Sequence, residues 1–181
     1  LQGLVAWAPV LNLTLLSVTS GLFEEGARYL GYRFVVPRAR RWEDGVTCGL
    51  GHGGSEAIIL SSFVVSTFVA MLSLKGATLA SLPPGLDPLA QIYWSTPVYL
   101  PLLGGLERLF AMCFHVAMAL LVLRAVVNGR LGWLLLAMAV HAGLNGTAVL
   151  ASRTLGAVPT EAALAVVAMT CLWMSRRVRP R

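Results

Sequence analysis

Long apolar stretches constrain this chain more than any other feature of its sequence. Five stretches reach the roughly 18 to 20 residues that a helix needs to cross about 30 Å of hydrocarbon. Their expected bounds are 4–23, 54–74, 102–127, 131–152 and 158–175. Only 12% of the residues are charged, against about 25% in an ordinary soluble domain. The sequence therefore predicts an all-α polytopic membrane helical bundle with about five transmembrane helices, forming a single domain over residues 1–181.

Basic residues are distributed unevenly among the connections between these stretches. A net charge of +6 would suggest a nucleic-acid partner in a soluble domain, but charge beside membrane spans reports topology instead. With five spans, eleven of the fourteen Lys and Arg residues fall on one side: Arg28, Arg33, Arg38, Arg40, Arg41, Arg124, Arg130, Arg176, Arg177, Arg179 and Arg181. We therefore expect a cytoplasmic C-terminus, Leu1 on the opposite side, a plasma-membrane location and no nucleic-acid partner.

Two segments outside the spans carry expectations of their own. The first residue is Leu1, and the first apolar stretch lacks the basic region and cleavage site of a signal peptide. We therefore expect upstream residues, including upstream helices, that this sequence lacks. The external connection over 76–101 contains several prolines and aromatic residues, which indicates a re-entrant or interfacial segment.

Polar and ionisable residues also occur within or beside the spans. Such side chains cost a few kcal/mol at bilayer depth, so they normally face the bundle interior and have a partner. Four groups occur along the chain: Glu24, Glu25 and Arg28; His52 and Glu56; Glu107, Arg108 and His115; and His141 with Asn145. Each group also has a structural explanation, as a salt bridge, a packing hydrogen bond or a satisfied core histidine. Because all three histidines of the chain belong to this set, we expect one shared polar site.

The first group contains two adjacent acids and one arginine. Arg28 follows Glu24 by four residues and Glu25 by three, so its guanidinium can pair with either carboxylate. The other carboxylate would then remain available for chemistry.

Two further spacings predict contacts within single helices. Glu56 follows His52 by four residues, on the same helix face, at the expected glycine-rich start of the second span. Glu107 is rotated about 100° from Arg108 around the third span. We therefore expect Glu107 to pair elsewhere in the bundle.

Several familiar protease signatures are absent from the sequence. There is no His-Glu-x-x-His helix and no Gly-x-Ser-x-Gly motif. The two aspartates, Asp44 and Asp87, both fall in expected loops, which argues against a paired intramembrane aspartate mechanism. Glutamate, histidine and asparagine remain as the candidate catalytic residues.

Taken together, the polar motifs resemble those of the YhfC family of intramembrane peptidases, which is similar to the CAAX-protease and PrsW-like group of membrane glutamic peptidases. The resemblance covers about residues 20 to 150. It rests on four motifs in order: Glu24-Glu25-Gly-Ala-Arg28, Gly51-His52-Gly53-Gly54-Ser-Glu56-Ala, Glu107-Arg108 with His115, and His141-Ala-Gly-Leu-Asn145.

The resemblance implies a division of roles among these residues. Glu24 or Glu25 with His115 would activate water, and His141 with Asn145 would stabilise the oxyanion. The supporting residues would be Arg28, His52, Glu56, Glu107 and Arg108. This favoured mechanism requires no cofactor, although His52, His115 and His141 are candidate ligands for zinc in a metallopeptidase alternative.

The expected partners are membrane lipids and a substrate that is a membrane protein or a lipidated peptide. Two other classes of function stay open on sequence grounds. A non-catalytic membrane scaffold or assembly subunit would carry the same residues without needing a free carboxylate. A transporter of ions or small solutes would use His, Glu and Arg in a proton pathway, although no internal repeat is evident.

Overall fold

The computed structural model describes residues 2–75 and 86–177 of the chain. These residues form six α-helices and one π-helical turn, Gly31–Val35, which directly follows the first helix. The helices are α1 Gln2–Leu30, α2 Trp42–Leu74, α3 Leu86–Ser95, α4 Tyr99–Asn128, α5 Gly132–Thr154 and α6 Ala157–Arg177. No strand occurs in the described ranges. Residues 76–85, Arg179 and Arg181 lie outside them, and the rest of the predicted re-entrant or interfacial connection contains α3.

Four of these helices are long and apolar enough to cross a membrane, namely α2, α4, α5 and α6. They coincide with the last four predicted spans, and the first predicted span, 4–23, lies within the 29-residue helix α1. The outward face of α2 exposes large apolar side chains such as Ile58, Phe63 and Val64, as expected for lipid contact. The prediction of an all-α polytopic membrane bundle is confirmed, with about five spans as an approximate number.

The start of α2 differs from its predicted position. The helix begins at Trp42, twelve residues before the expected span at 54, because Asp44 caps it. The Asp44 Oδ2 atom accepts the backbone N–H groups of Arg40 and Arg41, at 2.9 and 2.8 Å, and so satisfies two donors near the helix start. His52 therefore lies well inside α2, not at its beginning.

Helix α4 is the centre of the bundle. It contacts α1, α2, α5 and α6, and its segment from Phe114 to Ala125 is almost entirely buried. Helix α1 packs mainly on α5. This arrangement places the polar residues of α1, α2 and α5 around the middle of α4.

Three glycines on one face of α2 set its distance from α4. Gly45, Gly49 and Gly53 are all buried, and a Cβ atom at Gly49 would collide with the backbone around Val116. Small residues spaced four apart let two helix backbones approach closely. Of the glycines at positions 51, 53 and 54, Gly53 is the one that takes part in this close approach.

The helix pairs run antiparallel. Along α2 and α4, Gly45 lies beside Leu120 and Gly53 beside Met112. Along α1 and α5, Gly21 lies beside Met138 and Ala142, whereas Ser17 lies beside Gly146. The connections 36–41 and 129–131 therefore lie at one end of the bundle, as the predicted charge asymmetry requires. We call it the arginine-rich end because these connections contain Arg38, Arg40, Arg41 and Arg130.

Candidate active site

The four polar groups meet around one cavity inside the bundle. The cavity has a volume of about 220 Å³ and is lined by side chains from α1, α2, α4, α5 and α6. Its polar lining consists of Ser20, Glu24, Glu56, Glu107, Arg108, His115, His141 and Asn145. The prediction that acids, imidazoles and an amide from separate helices share a site is therefore supported by the structure.

The polar residues of the site lie away from the ends of their helices. Counted along each helix at about 1.5 Å per residue, Glu24 lies about 9 Å from the arginine-rich end of the bundle, and His52 and His141 about 15 and 14 Å. The three residues are therefore about two to three helical turns from that end of the bundle.

A fully buried group of three side chains, here called the inner cluster, consists of Glu25, Arg28 and His141. Glu25 has no exposed surface. Its Oε1 atom lies 2.7 Å from the His141 Nδ1 atom, and its Oε2 atom accepts the Arg28 Nη1–H group. Of the two pairings that the sequence allows for Arg28, the structure shows the one with Glu25.

A second group, here called the outer cluster, consists of Glu56, Arg108 and His115. Arg108 Nη1 donates to Glu56 Oε1 at 2.9 Å, and His115 Nε2 lies 2.7 Å from Glu56 Oε2. Glu107 also pairs with Arg108. The expectation that Glu107 pairs elsewhere was wrong, because the long arginine side chain reaches back to the carboxylate beside it.

His52 and Glu56 do not contact each other through a hydrogen bond, although they share a helix face. His52 Nε2 instead lies 3.1 Å from Glu24 Oε2 on α1, while Glu56 is taken by residues of α4. The His52 and His115 rings also lie close, with 4.6 Å between their centroids. Partners on other helices therefore replace the pair expected within α2.

Glu24 differs from Glu25 and Glu56 in its partners. Its Oε1 atom accepts the Ser20 hydroxyl at 2.8 Å, and its Oε2 atom lies 3.1 Å from His52 Nε2 and 3.7 Å from His141 Nε2. Glu25 and Glu56 each have one arginine and one histidine partner. Within residues 2–75 and 86–177, the ion-pair partners of Glu24 are histidines alone.

Arg28 joins the two clusters. Its Nη1 atom serves Glu25, and its Nη2 atom lies 3.3 Å from the Nδ1 atom of His115. The Arg28 side chain is only 1% exposed. One guanidinium therefore contacts a carboxylate of the inner cluster and an imidazole of the outer cluster.

Sequence reasoning missed Ser20. The Asn145 amide donates to the Ser20 hydroxyl at 2.8 Å, and this hydroxyl donates to Glu24. The available signal was the spacing, since Ser20 precedes Glu24 by one helical turn. Asn145 thus reaches Glu24 through an intermediate hydroxyl, and its predicted role at an oxyanion stays a prediction.

The donor atoms at the centre of the site fit a divalent metal ion. Ligand atoms from Glu24, His52, Glu56 and His115 lie within 4.8 Å of one another. Imidazole nitrogens and carboxylate oxygens are typical ligands of zinc. Two of the three predicted metal candidates, His52 and His115, belong to this group, whereas the third, His141, approaches it through the 3.7 Å contact with Glu24.

These features define a polytopic helical membrane protein with a histidine- and glutamate-rich site inside the bundle. The chain matches the family described as YhfC intramembrane metalloprotease over residues 5–169, and it belongs to that family. Its membership confirms the resemblance seen in the motifs, while the grouping with CAAX proteases and PrsW-like proteins stays a prediction.

The chain is also similar to a protein of Bacillus subtilis (strain 168) named uncharacterized membrane protein YhfC. The two are 34% identical over 172 residues, with 88% of this chain and 66% of that protein covered. The chain thus spans slightly less than two thirds of this relative. No solved structure matches the chain. Family, relative and apolar helices together identify an integral membrane protein.

The family description also bears on the cofactor. The favoured expectation from sequence was a mechanism that needs none, but the word metalloprotease in the family description and the group of four metal-ligand residues favour the zinc alternative.

Proposed function

We propose that this chain is the catalytic part of an intramembrane metallopeptidase, which hydrolyses a peptide bond of a membrane protein or lipidated peptide. One observation carries the proposal: two carboxylates and two imidazoles from three different helices of this apolar bundle place their ligand atoms within 4.8 Å of one another. A bundle has no structural need for such a group, because each of these side chains is costly in hydrocarbon.

Glu24 and His52, together with a second imidazole, are the residues that would hold the ion. Glu24 suits this position because its Oε2 atom faces imidazole nitrogens and, among the residues that the structure describes, no arginine. A bound divalent ion would supply Lewis acidity to the scissile carbonyl and to the attacking water.

The remaining polar residues would accept a proton from water and stabilise charge on the substrate. Glu56 lines the cavity and is 37% exposed through its side chain, so it can accept a proton from water. Arg108 orients this carboxylate with a 2.9 Å hydrogen bond. Asn145 lines the same cavity, and the amide N–H that is not donated to Ser20 can stabilise charge on the carbonyl oxygen.

A groove beside the cavity supports entry of the substrate from the membrane. It has a volume of about 820 Å³ and lies between α1 and α5, with Leu13, Leu16 and Val149 among its lining residues. Glu107 and Asn145 line both the groove and the cavity. An extended segment of a membrane protein in this groove would reach the site without crossing the core.

The metal-free glutamic mechanism is the second candidate, and the hydrogen bonding of Glu24 favours it. In this version Glu24 is the base, because Glu25 is fully buried and already bonded to Arg28 and His141. His115 assists it, and His141 with Asn145 stabilises the oxyanion. The sequence left open which of the two glutamates is the base, and we propose Glu24.

The decisive experiment uses the full chain reconstituted in lipid nanodiscs with a panel of membrane-embedded peptides. Bound metal is measured by mass spectrometry, and cleavage is measured before and after treatment with a chelator. We expect stoichiometric zinc or another divalent ion, loss of cleavage with the chelator, and its return with added metal.

Variants complete this test. Glu24→Gln should lower the cleavage rate by about 10²- to 10⁴-fold, the usual contribution of a catalytic carboxylate, while Glu43→Gln at an exposed position serves as the matched control. Cleavage that survives the chelator without metal would support the glutamic mechanism. A folded protein with neither metal nor cleavage would overturn both, and a scaffold or transporter would then be the better explanation.

We also propose that the arginine-rich end of the bundle is cytoplasmic and that the protein resides in the plasma membrane, with lipids covering its apolar outer surface. The charge asymmetry supports this orientation. Labelling of single cysteines introduced at exposed positions in 36–41 and 129–131, from each side of sealed vesicles, tests it directly. If these cysteines were labelled from outside intact cells, the orientation would be the opposite of the one proposed.

A further inference from the structure

We infer that Arg28 and Glu25 are positioning residues that hold His115 and His141 in opposite tautomers, so that His141 offers a bare Nε2 nitrogen to the metal and His115 does not. The inference about the metal rests on the proposed function. The two tautomers, in contrast, can be measured in the metal-free protein.

The contact between Arg28 and His115 determines the first tautomer. A guanidinium carries only N–H donors and accepts no hydrogen bond. Because Arg28 Nη2 lies 3.3 Å from His115 Nδ1, this ring nitrogen must be the acceptor and carries no proton. The proton of the neutral ring is then on Nε2, where Glu56 Oε2 accepts it at 2.7 Å.

The contact between Glu25 and His141 determines the second tautomer. Glu25 is fully buried and bonded to Arg28, so it is a carboxylate that only accepts hydrogen bonds. Its Oε1 atom lies 2.7 Å from His141 Nδ1, which therefore carries the proton. In the neutral ring the Nε2 atom of His141 then carries no proton, and it lies 3.7 Å from Glu24 Oε2.

The two tautomers determine which of the nearby ring nitrogens can bind a metal ion. A tetrahedral zinc site with bonds of about 2.0 Å has ligand atoms about 3.3 Å apart, and the distances of 3.1 and 3.7 Å from Glu24 Oε2 to His52 Nε2 and His141 Nε2 bracket this value. His115 Nε2 could bind the ion only if its proton moved to Nδ1, against the Arg28 guanidinium. His52 Nε2 also faces a carboxylate, that of Glu24, but within residues 2–75 and 86–177 no donor group contacts its Nδ1 atom, so its proton can move there. Glu24, His52 and His141 therefore form the ligand set.

The Glu25 carboxylate also has the position expected of a group that supports a metal-binding histidine. Metal-binding histidines commonly donate their second ring N–H to a carboxylate, which orients the ring and makes the other nitrogen a better donor. Arg28, by contrast, makes His115 a hydrogen-bond donor toward the cavity. One arginine–glutamate pair thus gives two neighbouring imidazoles different functions.

The first experiment measures ring-nitrogen chemical shifts by ¹⁵N NMR in the metal-free full chain, reconstituted in lipid nanodiscs. The chain has only three histidines, so His115→Gln and His141→Gln assign the signals. We expect His115 in the Nε2–H form and His141 in the Nδ1–H form. The same tautomer in both rings, or a doubly protonated ring at either position near neutral pH, would overturn the inference.

The second experiment changes Arg28. Lysine also carries only donors and should keep His115 in the Nε2–H form, whereas the glutamine of Arg28→Gln offers a carbonyl that can accept a hydrogen bond from Nδ1–H. We expect Arg28→Gln to convert the single His115 form into a mixture, Arg28→Lys to rescue it, and Arg41→Gln at an exposed position to change nothing. If Arg28→Lys also gave a mixture of His115 tautomers, Arg28 would have only a structural role and would not set the tautomer.

The third experiment titrates zinc alone into the wild type and the variants. Glu25→Gln should weaken zinc binding by about 10- to 100-fold, as loss of a supporting carboxylate does, and Glu43→Gln should not. His141→Gln should abolish tight binding, whereas His115→Gln should retain it. The reverse order for these two histidines would overturn the ligand set. Absence of zinc binding in the wild type would overturn the proposed metallopeptidase, and the tautomers would then be decided by NMR alone.

Discussion

The inner and outer clusters contain the same three kinds of side chain in different surroundings. Each has a glutamate that bonds one arginine and one histidine. In the inner cluster, Glu25 and Arg28 have side chains 0% and 1% exposed, whereas Glu56 and Arg108 of the outer cluster are 37% and 22% exposed.

This difference indicates separate functions for the two clusters. A buried ion pair is stable only while both partners and their hydrogen bonds are present, so the inner cluster joins α1 to α5 rigidly. The outer cluster faces the cavity and joins α2 to α4, where a substrate or water can replace a partner. The Glu25–Arg28 pair thus supports the framework and orients His141, whereas the Glu56–Arg108 pair faces the cavity and is available to water and substrate.

The largest expected effect comes from removing the inner carboxylate. Glu25→Ala leaves the Arg28 guanidinium buried without its partner and should lower the free energy of unfolding by about 3–5 kcal/mol. The measurement is reversible unfolding in mixed micelles, with the exposed Glu43→Ala as the control. If Glu25→Ala and Glu43→Ala unfold alike, the inner cluster has no structural function.

A smaller effect is expected from the contact between α2 and α4. Gly49→Ala places a methyl group against the Val116 backbone and should cost about 1–3 kcal/mol. It should also separate Glu56 from His115, since these residues lie on the two helices involved, and leave the inner cluster intact. Gly54→Ala meets no atom within 4 Å and should behave as wild type. Equal effects from both variants would contradict the close approach at Gly49.

The third prediction concerns Glu24, which belongs to neither cluster. Ser20→Ala removes the 2.8 Å hydrogen bond to Glu24 and should destabilise the fold by about 1 kcal/mol, while lowering cleavage more clearly than stability. Ser55→Ala is the control because its hydroxyl bonds only backbone carbonyls of its own helix. An unchanged cleavage rate in Ser20→Ala would show that this hydroxyl does not support Glu24.

The smallest change in stability is expected in the outer cluster. Arg108→Gln removes the ion pair with Glu56 and should cost no more than about 1 kcal/mol, as expected for a solvated pair. A double-mutant cycle with Glu56→Gln measures the coupling energy. A coupling as large as that between Arg28 and Glu25 would remove the distinction between the clusters.

The sequence predicted helices better than it predicted contacts. Runs of apolar residues predicted α4, α5 and α6 to within about three residues, because hydrocarbon thickness alone sets their length. The prediction of helix bounds failed at the start of α2, where Asp44 caps a helix whose first turns are not strongly apolar. The prediction of contacts failed at Glu107, because spacing along one helix does not describe how far an arginine side chain can turn back.

The site was predicted as a set of residues but not as a set of pairs. Composition and hydrophobic pattern alone determined that this chain is a helical membrane protein and that its buried acids and imidazoles need partners, because hydrocarbon supplies none. Only the tertiary structure decided that Glu25 faces His141 and that Glu24 faces two histidines. These pairs depend on the register between helices, which close packing at residues such as Gly49 and Gly21 sets, and no spacing within a single helix encodes it.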